Sequence, residues 1–309
     1  MKLSIVATLY QSAPYVEEFY QRVSAAARQL TNDYEIVLVN DGSPDDSLAR
    51  AVALTTKDEQ VIVIDLSRNF GHHKAMMAGL ARTRGERVFL LDSDLEEEPE
   101  WLRSFSEQME SDVCDVVYGV QAIRKGGLFE RWSGVWYYIL YRALTGLKVP
   151  YNITTARLMS RRYVDALMSF EEREIDIGGL WFITGFDQRP HTVKKHSTSE
   201  TTYTVRKKVA IIVNAVTSFS NLPLVGIFYV GVAIFLVSCV WTIYLILHWL
   251  IDAQPMSGWT SVMVSIWLLG GLMLSAVGVV GIYLAKVFSE AKRRPNTIIR
   301  EIYRKQKQN

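Results

Sequence analysis

The feature that most constrains this chain is a pair of uncharged runs near its C-terminus. Leu222 to Ile251 and Trp259 to Ala285 contain no Asp, Glu, Lys or Arg. Each exceeds the roughly 20 residues that an α-helix needs to cross the hydrocarbon layer of a bilayer. Transmembrane helices are therefore expected over 222–251 and 259–288. The connection Asp252–Gly258 is short and free of Lys and Arg. Arg206, Lys207 and Lys208 precede the first run, and Lys286, Lys292, Arg293 and Arg294 follow the second. The positive-inside rule then puts both ends of the hairpin in the cytoplasm. No basic-plus-apolar leader precedes the first strand-like segment, so no cleavable signal is expected. Cys114 and Cys239, one upstream and one within a run, are not placed to pair, which suits a reducing compartment. A net charge of +2 excludes no partner by itself.

Upstream, apolar runs alternate with helical stretches. Leu3–Leu9, Glu35–Val39, Val61–Leu66, Val88–Leu91 and Asp115–Tyr118 read as strands; Pro14–Leu30 and His72–Thr83 read as helices between them. This spacing predicts an α/β fold with a doubly wound, mostly parallel sheet, in which ligands bind beyond the carboxyl ends of the strands. Two polar turns fall there. Asn40-Asp41-Gly42-Ser43-Pro44 follows the second strand, and the acidic stretch Asp92-Ser-Asp94-Leu-Glu96-Glu97-Glu98-Pro99 follows the fourth. Asp92 and Asp94 alternate as the chain leaves a buried strand, and hard carboxylate oxygens at such a place suit Mg²⁺ or Mn²⁺ bridging substrate phosphates. By itself Asp-x-Asp is a weak pattern and reads more often as a solvated helix start. The first strand leads into Thr8-Leu-Tyr10-Gln-Ser12 without a Gly-x-Gly-x-x-Gly turn, which disfavours a dinucleotide fold.

Later segments point toward the bilayer. Residues 128–148 carry Trp132, Trp136, Tyr137, Tyr138 and Tyr141 among Arg131 and Arg142, the composition of an interfacial amphipathic helix. Gly178–Gly185 reads as a loop and His191–Lys195 as a further strand. The chain divides into an α/β domain over 1–205, a juxtamembrane helix over 206–221, the two spans, and a basic tail over 289–309 expected as a surface helix or a frayed end.

Taken in order, Asn40-Asp41-Gly42-Ser43-x-Asp45, Arg68-Asn69-Phe70-Gly71, Asp92-x-Asp94-Leu95-Glu96 with Pro99-Glu100, Tyr118-Gly119 and Arg157-Leu158-Met159 resemble the family 2 inverting glycosyltransferases that load a sugar onto a polyprenyl phosphate. Dolichyl-phosphate mannose synthases and bactoprenol-phosphate glucosyltransferases are of this kind. The resemblance implies a GT-A fold and a nucleotide diphosphate sugar, expected to be a UDP-sugar, as donor. It implies an acceptor such as undecaprenyl phosphate and a bacterial-type inner (plasma) membrane location with the catalytic domain and both termini cytoplasmic. Asp41 then matches the position that holds the nucleobase or ribose, with Thr8 and Tyr10 nearby; Asp92, Asp94 and Glu96 match the positions for Mg²⁺ or Mn²⁺ and the diphosphate. Arg68 and Lys74 would neutralise phosphate charge. His72 and His73 are read as loop histidines.

The sequence departs from its relatives where many carry Asp-Phe-Arg, because Thr155-Ala156-Arg157 stands there. A lipid phosphate, with a second pKa of about 6, needs positioning more than deprotonation. Arg157, Arg131 and Arg124 are therefore expected to hold it without a base from that position. Two other readings compete: a non-catalytic nucleotide-sugar binder, and a polysaccharide synthase-like transferase with another acceptor, whose Gln-x-x-Arg-Trp signature is absent. No nucleic acid is expected as a partner. Gly226, Gly231, Gly270, Gly271, Gly278 and Gly281 allow close packing within the hairpin or between copies of the chain.

Overall fold

A computed structural model of the protein describes residues 1–121, 150, 152–172, 176–195, 217, 220, 222–252 and 258–305. Its frame is a sheet in the order β7-β5-β6-β4-β1-β2-β3-β8. The parallel centre comprises β1 (Leu3–Leu9), β2 (Tyr34–Asn40), β3 (Val61–Leu66) and β4 (Arg87–Leu90). All seven residues of β1 and of β2 are buried, as expected for strands covered on both faces. Successive β1 side chains serve opposite cores. Ile5 and Ala7 join Phe19, Val23, Leu54, Leu102 and Phe105 on one face; Val6 joins Ala75, Met76 and Leu80 on the other.

Helices α1 (Val16–Leu30), α2 (Ser47–Lys57) and α4 (Trp101–Asp112) supply the first core, and α3 (His72–Leu80) begins the second. Each fully buried large apolar side chain contributes about 1.5–3 kcal/mol, so the two layers fix the sheet from both sides. This is the doubly wound α/β architecture that the alternating pattern predicts, and that the family resemblance implies as a GT-A fold.

The other half of the sheet is mixed. β5 (Val116–Gln121) pairs with β6 (Ile153–Ser160) antiparallel and with β7 (Gln188–Val193) parallel. β6 also runs antiparallel beside β4, placing Arg157 opposite Leu90 on one side and Tyr118 on the other. Helix α5 (Arg161–Met168) starts at a Ser160 cap, and α6 (Ile177–Ile183) packs Leu180 and Trp181 into the second core. Part of the expected Gly178–Gly185 loop is therefore helical, because Ile177, Leu180 and Trp181 have a core to bury into. The 128–148 segment, and 206–221 apart from Thr217 and Ser220, lie outside the described residues.

The two apolar runs form α7 (Leu222–Asp252) and α8 (Trp259–Ala291), of 31 and 33 residues. At about 1.5 Å per residue each is long enough to span a bilayer. Phe228, Val237, Leu274 and Val277 are exposed, an apolar surface of the kind that membrane or protein contacts cover. Tyr283 Oη donates to Ser220 O at 2.6 Å and ties the two helices at the domain end.

The tail departs from expectation. Instead of a surface helix or a frayed end, β8 (Ile299–Arg304) adds antiparallel to β3, pairing Ile62 with Arg304 and Asp65 with Glu301. Ile299 packs against one core and Tyr303 against the other. The strand covers what would be an open parallel edge with unpaired N–H and C=O groups. Residues from before the first apolar helix and after the second thus share one sheet.

Candidate active site

Because β1, β2, β3 and β4 are parallel, their carboxyl-end turns lie along one edge. The β2 turn is fastened first. Asp41, 2% exposed, accepts Phe70 N–H at 2.7 Å and Gly71 N–H at 3.0 Å through its two oxygens. Gly42, at φ 60°, presses against the Arg68–Asn69 backbone where a Cβ would collide. Burial raises the Asp41 pKa, and the two N–H bonds oppose that rise. Neighbouring Asn40 donates Nδ2–H to Asp65, whose other oxygen accepts from Arg300 of β8.

A second carboxylate joins this turn to the first. Asp45 accepts from Ser43 Oγ, Ser47 Oγ, Ser47 N and Ala13 N, and Gln11 N donates to Ser43 Oγ. Burial would raise its pKa, but these donors outweigh that and hold it down at about 2.

The acidic stretch after β4 is arranged differently. Ser93 Oγ donates to Thr8 O at 2.7 Å and lies 3.0 Å from Ser12 Oγ, which pins the segment to the end of β1. Asp92 then faces His72. His72 Nδ1 lies 3.0 Å from Thr8 Oγ1, and His72 Nε2 lies 3.2 Å from Asp92 Oδ1. Asp92 Oδ1 is buried and makes no aligned hydrogen bond among the described residues, although the His72 ring and the Thr155 side chain both lie against the carboxylate. Burial raises the Asp92 pKa, but His72 and Lys195 outweigh it and keep the group low.

Glu97 lies behind Asp92. It is fully buried, accepts Thr155 N–H at 2.8 Å, and its pKa is pushed up to about 8 by burial and by the charge of Asp92. Lys195 Nζ reaches both Glu96 (3.1 Å) and Glu97 (3.9 Å). Burial alone would lower its pKa, yet Glu97, Asp92 and Glu96 hold it up. Asp94 accepts Glu96 N–H at 3.0 Å across Leu95, which is held at φ 60°, a strained value for a branched residue. Burial raises the Asp94 pKa and the negative charge of Asp92 adds to it.

A divalent cation fits part of this set. An unpartnered buried Asp92 oxygen and an Asp94 carboxyl strained by its neighbour's charge are what a cation would relieve. The expected trio is not assembled, however: Glu96 is drawn to Lys195, and among the described residues no three His, Cys, Asp or Glu side chains converge on one point.

The other expected residues divide. His72 links Thr8 to Asp92, and Asp41 fixes the loop that leads into His72, while Tyr10 is exposed. Arg68 and Lys74 line a separate cavity at the foot of α8. Arg157 is wholly buried, so it does not present an open guanidinium to a lipid phosphate. Its Nε donates to Thr155 O, its face lies over the Trp181 ring, and Nη1 has no partner among the described residues. Burial lowers its pKa to about 9. Arg124 and Arg131 lie outside the described residues. Sequence reasoning missed His72, Glu97 and Lys195. The position of His72 in the turn after β3 is a usable signal, and Glu97 lies within the acidic run. Lys195 is far from the others in the chain and gave none.

A profile described as "Glycosyl transferase family 2" matches residues 4–168. A Mycobacterium tuberculosis protein described only at the level of glycosyltransferase is 52% identical over 303 residues, covering 98% of this chain and 89% of its own. The uncharacterized glycosyltransferase YkcC of Bacillus subtilis is 30% identical over 306 residues (98% and 94%). The SfII prophage-derived bactoprenol glucosyl transferase of Shigella flexneri is 29% identical over 307 residues (98% and 99%). Among solved structures, glucosyl-3-phosphoglycerate synthase from Mycobacterium tuberculosis in complex with UDP has a TM-score of 0.46 at 18% identity, over 70% of this chain and 79% of that one.

Proposed function

The chain belongs to glycosyl transferase family 2, and from that premise we propose that it transfers a sugar, with inversion, from a UDP-sugar to a polyprenyl phosphate at the cytoplasmic face of a membrane. The observation that carries this reading is end-to-end similarity, through both apolar helices, to a bactoprenol glucosyl transferase. The crevice adds chemistry of the right kind. Return of β8 to the sheet supports a topology in which both ends of the hairpin meet the same cytoplasmic domain.

Displacement at an anomeric carbon requires the leaving nucleoside diphosphate to be stabilised. Asp92 and Asp94 would hold a divalent cation, Mg²⁺ or Mn²⁺, which supplies Lewis-acid stabilisation of that diphosphate worth several kcal/mol. His72 orients Asp92 from the Thr8 side, and the Ser93 bond to Thr8 O keeps the acidic segment against the β1 turn. Asp41 shapes the nucleoside end indirectly, by fixing the Arg68–Gly71 loop. Glu97, protonated near neutral pH, limits the negative charge gathered behind Asp92, and Lys195 balances what remains. An already ionised lipid phosphate leaves little work for a general base.

Purified full-length protein given labelled UDP-glucose, UDP-galactose and UDP-N-acetylglucosamine with undecaprenyl phosphate tests this. Label should enter the organic phase, and EDTA should stop it. Absence of lipid-linked label from every donor would reject the reading.

A further inference from the structure

At the foot of α8 lies a cavity of about 280 Å³ lined by Arg68, Phe70, Lys74, Phe288, Lys292 and Arg294, with Asn296 at its edge. Its four cations come from opposite ends of the chain: two from the β3–α3 region and two from the end of the second apolar helix. None of the four forms an ion pair with a carboxylate among the described residues, although the charge of Arg68 is felt by Asp41. Arg68 instead lies over the Phe70 ring at 4.1 Å, and Lys292 over the Phe288 ring at 4.0 Å. Basic residues beside a span are commonly topology signals. That role does not draw a loop of the α/β domain toward them, and four like charges around one concavity repel unless an anion joins them. Asn296 is anchored by Nδ2–H to Glu172 O, and its Oδ1 is buried without a partner among the described residues.

We propose that this cavity holds the phosphate monoester headgroup of a membrane lipid whose chain lies along α8. A monoester carries about −1.5 to −2 near neutral pH, a closer match to four cations than a phosphodiester carrying −1. The source is a lipid because Phe288, which lines the cavity, belongs with Leu284 and Val287 to the exposed apolar residues of the same helix. The headgroup would sit one loop away from the reaction centre. Arg68 and Phe70 belong to the loop that Asp41 fixes, and two residues beyond Phe70 the chain presents His72 to Asp92. The assignment of cavity and headgroup stands on these contacts; identifying the lipid as the sugar acceptor rests on the function proposed above.

Full-length protein in phosphatidylcholine nanodiscs should bind radiolabelled farnesyl phosphate. The Lys292→Gln/Arg294→Gln double variant should bind it about tenfold more weakly, the scale for losing two partly exposed charge contacts. UDP binding should be unchanged, and Lys292→Arg/Arg294→Lys should restore the lipid affinity. Undiminished farnesyl phosphate binding by the double variant overturns the site. Equal displacement by phosphatidylglycerol overturns the monoester preference, and equal displacement by inorganic phosphate overturns the lipid source. A wild-type protein that binds farnesyl phosphate at this site yet glycosylates no polyprenyl phosphate would reject the proposed function and leave the cavity's assignment intact.

Discussion

Asp41 and Asp92 follow the two strands that flank β1, and their surroundings differ. Asp41 is saturated: both oxygens accept backbone N–H groups from the loop after β3. Asp92 is under-satisfied: one oxygen is buried with no aligned hydrogen bond among the described residues, the His72 and Thr155 side chains lie against the carboxylate, and a protonatable glutamate and a lysine lie behind. A carboxylate whose bonds are all made inside the protein builds structure, whereas one left short of partners in a crevice has capacity for a ligand. Position at a strand end does not separate these roles, and the hydrogen-bond inventory does.

The comparison is most easily broken at Asp92. Asp92→Asn removes the charge but keeps the shape, so sugar transfer should fall by about a hundredfold or more, the scale on which electrostatic stabilisation of a leaving group is lost. The melting temperature should stay within about 2 °C of wild type. Melting lowered with transfer intact would reverse the assigned roles. Asp41→Ala should show the opposite balance. It strands two N–H groups at about 1–3 kcal/mol each, which predicts a melting temperature lower by about 4 °C or more. Transfer by the surviving folded protein should fall less than in Asp92→Asn. Thermal melts and initial rates on the same preparations check both.

The same contrast explains what was legible in the sequence. The parallel centre could be read because buried strands such as Leu3–Leu9 are continuous apolar runs, and Asp41 and Asp92 followed from strand ends. β6 does not read as a strand because Thr154, Thr155 and Arg157 interrupt its apolar character; burial of that arginine is decided by neighbours β4 and β5 rather than by local pattern. The tail looked like a basic surface segment because Arg300 and Arg304 dominate its composition, while the pairing that makes it a strand comes from the open edge of β3. Lys195 reaches Glu96 and Glu97 from beyond β7, a contact that only the assembled sheet creates. Local periodicity shows an element that buries itself, but not one recruited by a distant edge or charge.

Glu97 sharpens the unsatisfied side of the comparison through pH. Its ordinary pKa is 4.5 and its folded value is about 8, so between these limits the native state keeps a proton that the unfolded chain has released. Its stabilising contribution is complete below about pH 4.5 and is lost as pH rises through 8. Glu97→Gln mimics the protonated form. Denaturant melts from pH 5 to 8.5 should therefore show a flatter decline than wild type, with the variant more stable at the alkaline end. Parallel slopes for the two proteins would mean that Glu97 is ionised throughout.

Asp45 tests the saturated side, with a smaller effect because it is only partly buried. Its folded pKa of about 2 lies below the ordinary 3.8, so from pH 4 down to 2 the unfolded chain takes up the proton first. The contribution is present above about pH 3.8 and is lost as pH falls through 2, the opposite direction to Glu97. Asp45→Asn cannot ionise and keeps at most part of the bonding to Ser43, Ser47 and Ala13. It should be slightly less stable than wild type at pH 7, and that gap should narrow as both are titrated toward pH 2. Acid-titration melts that hold the gap constant would show that the Ser43, Ser47 and Ala13 contacts do not depend on the charge of Asp45, and the turn would then be held by shape alone.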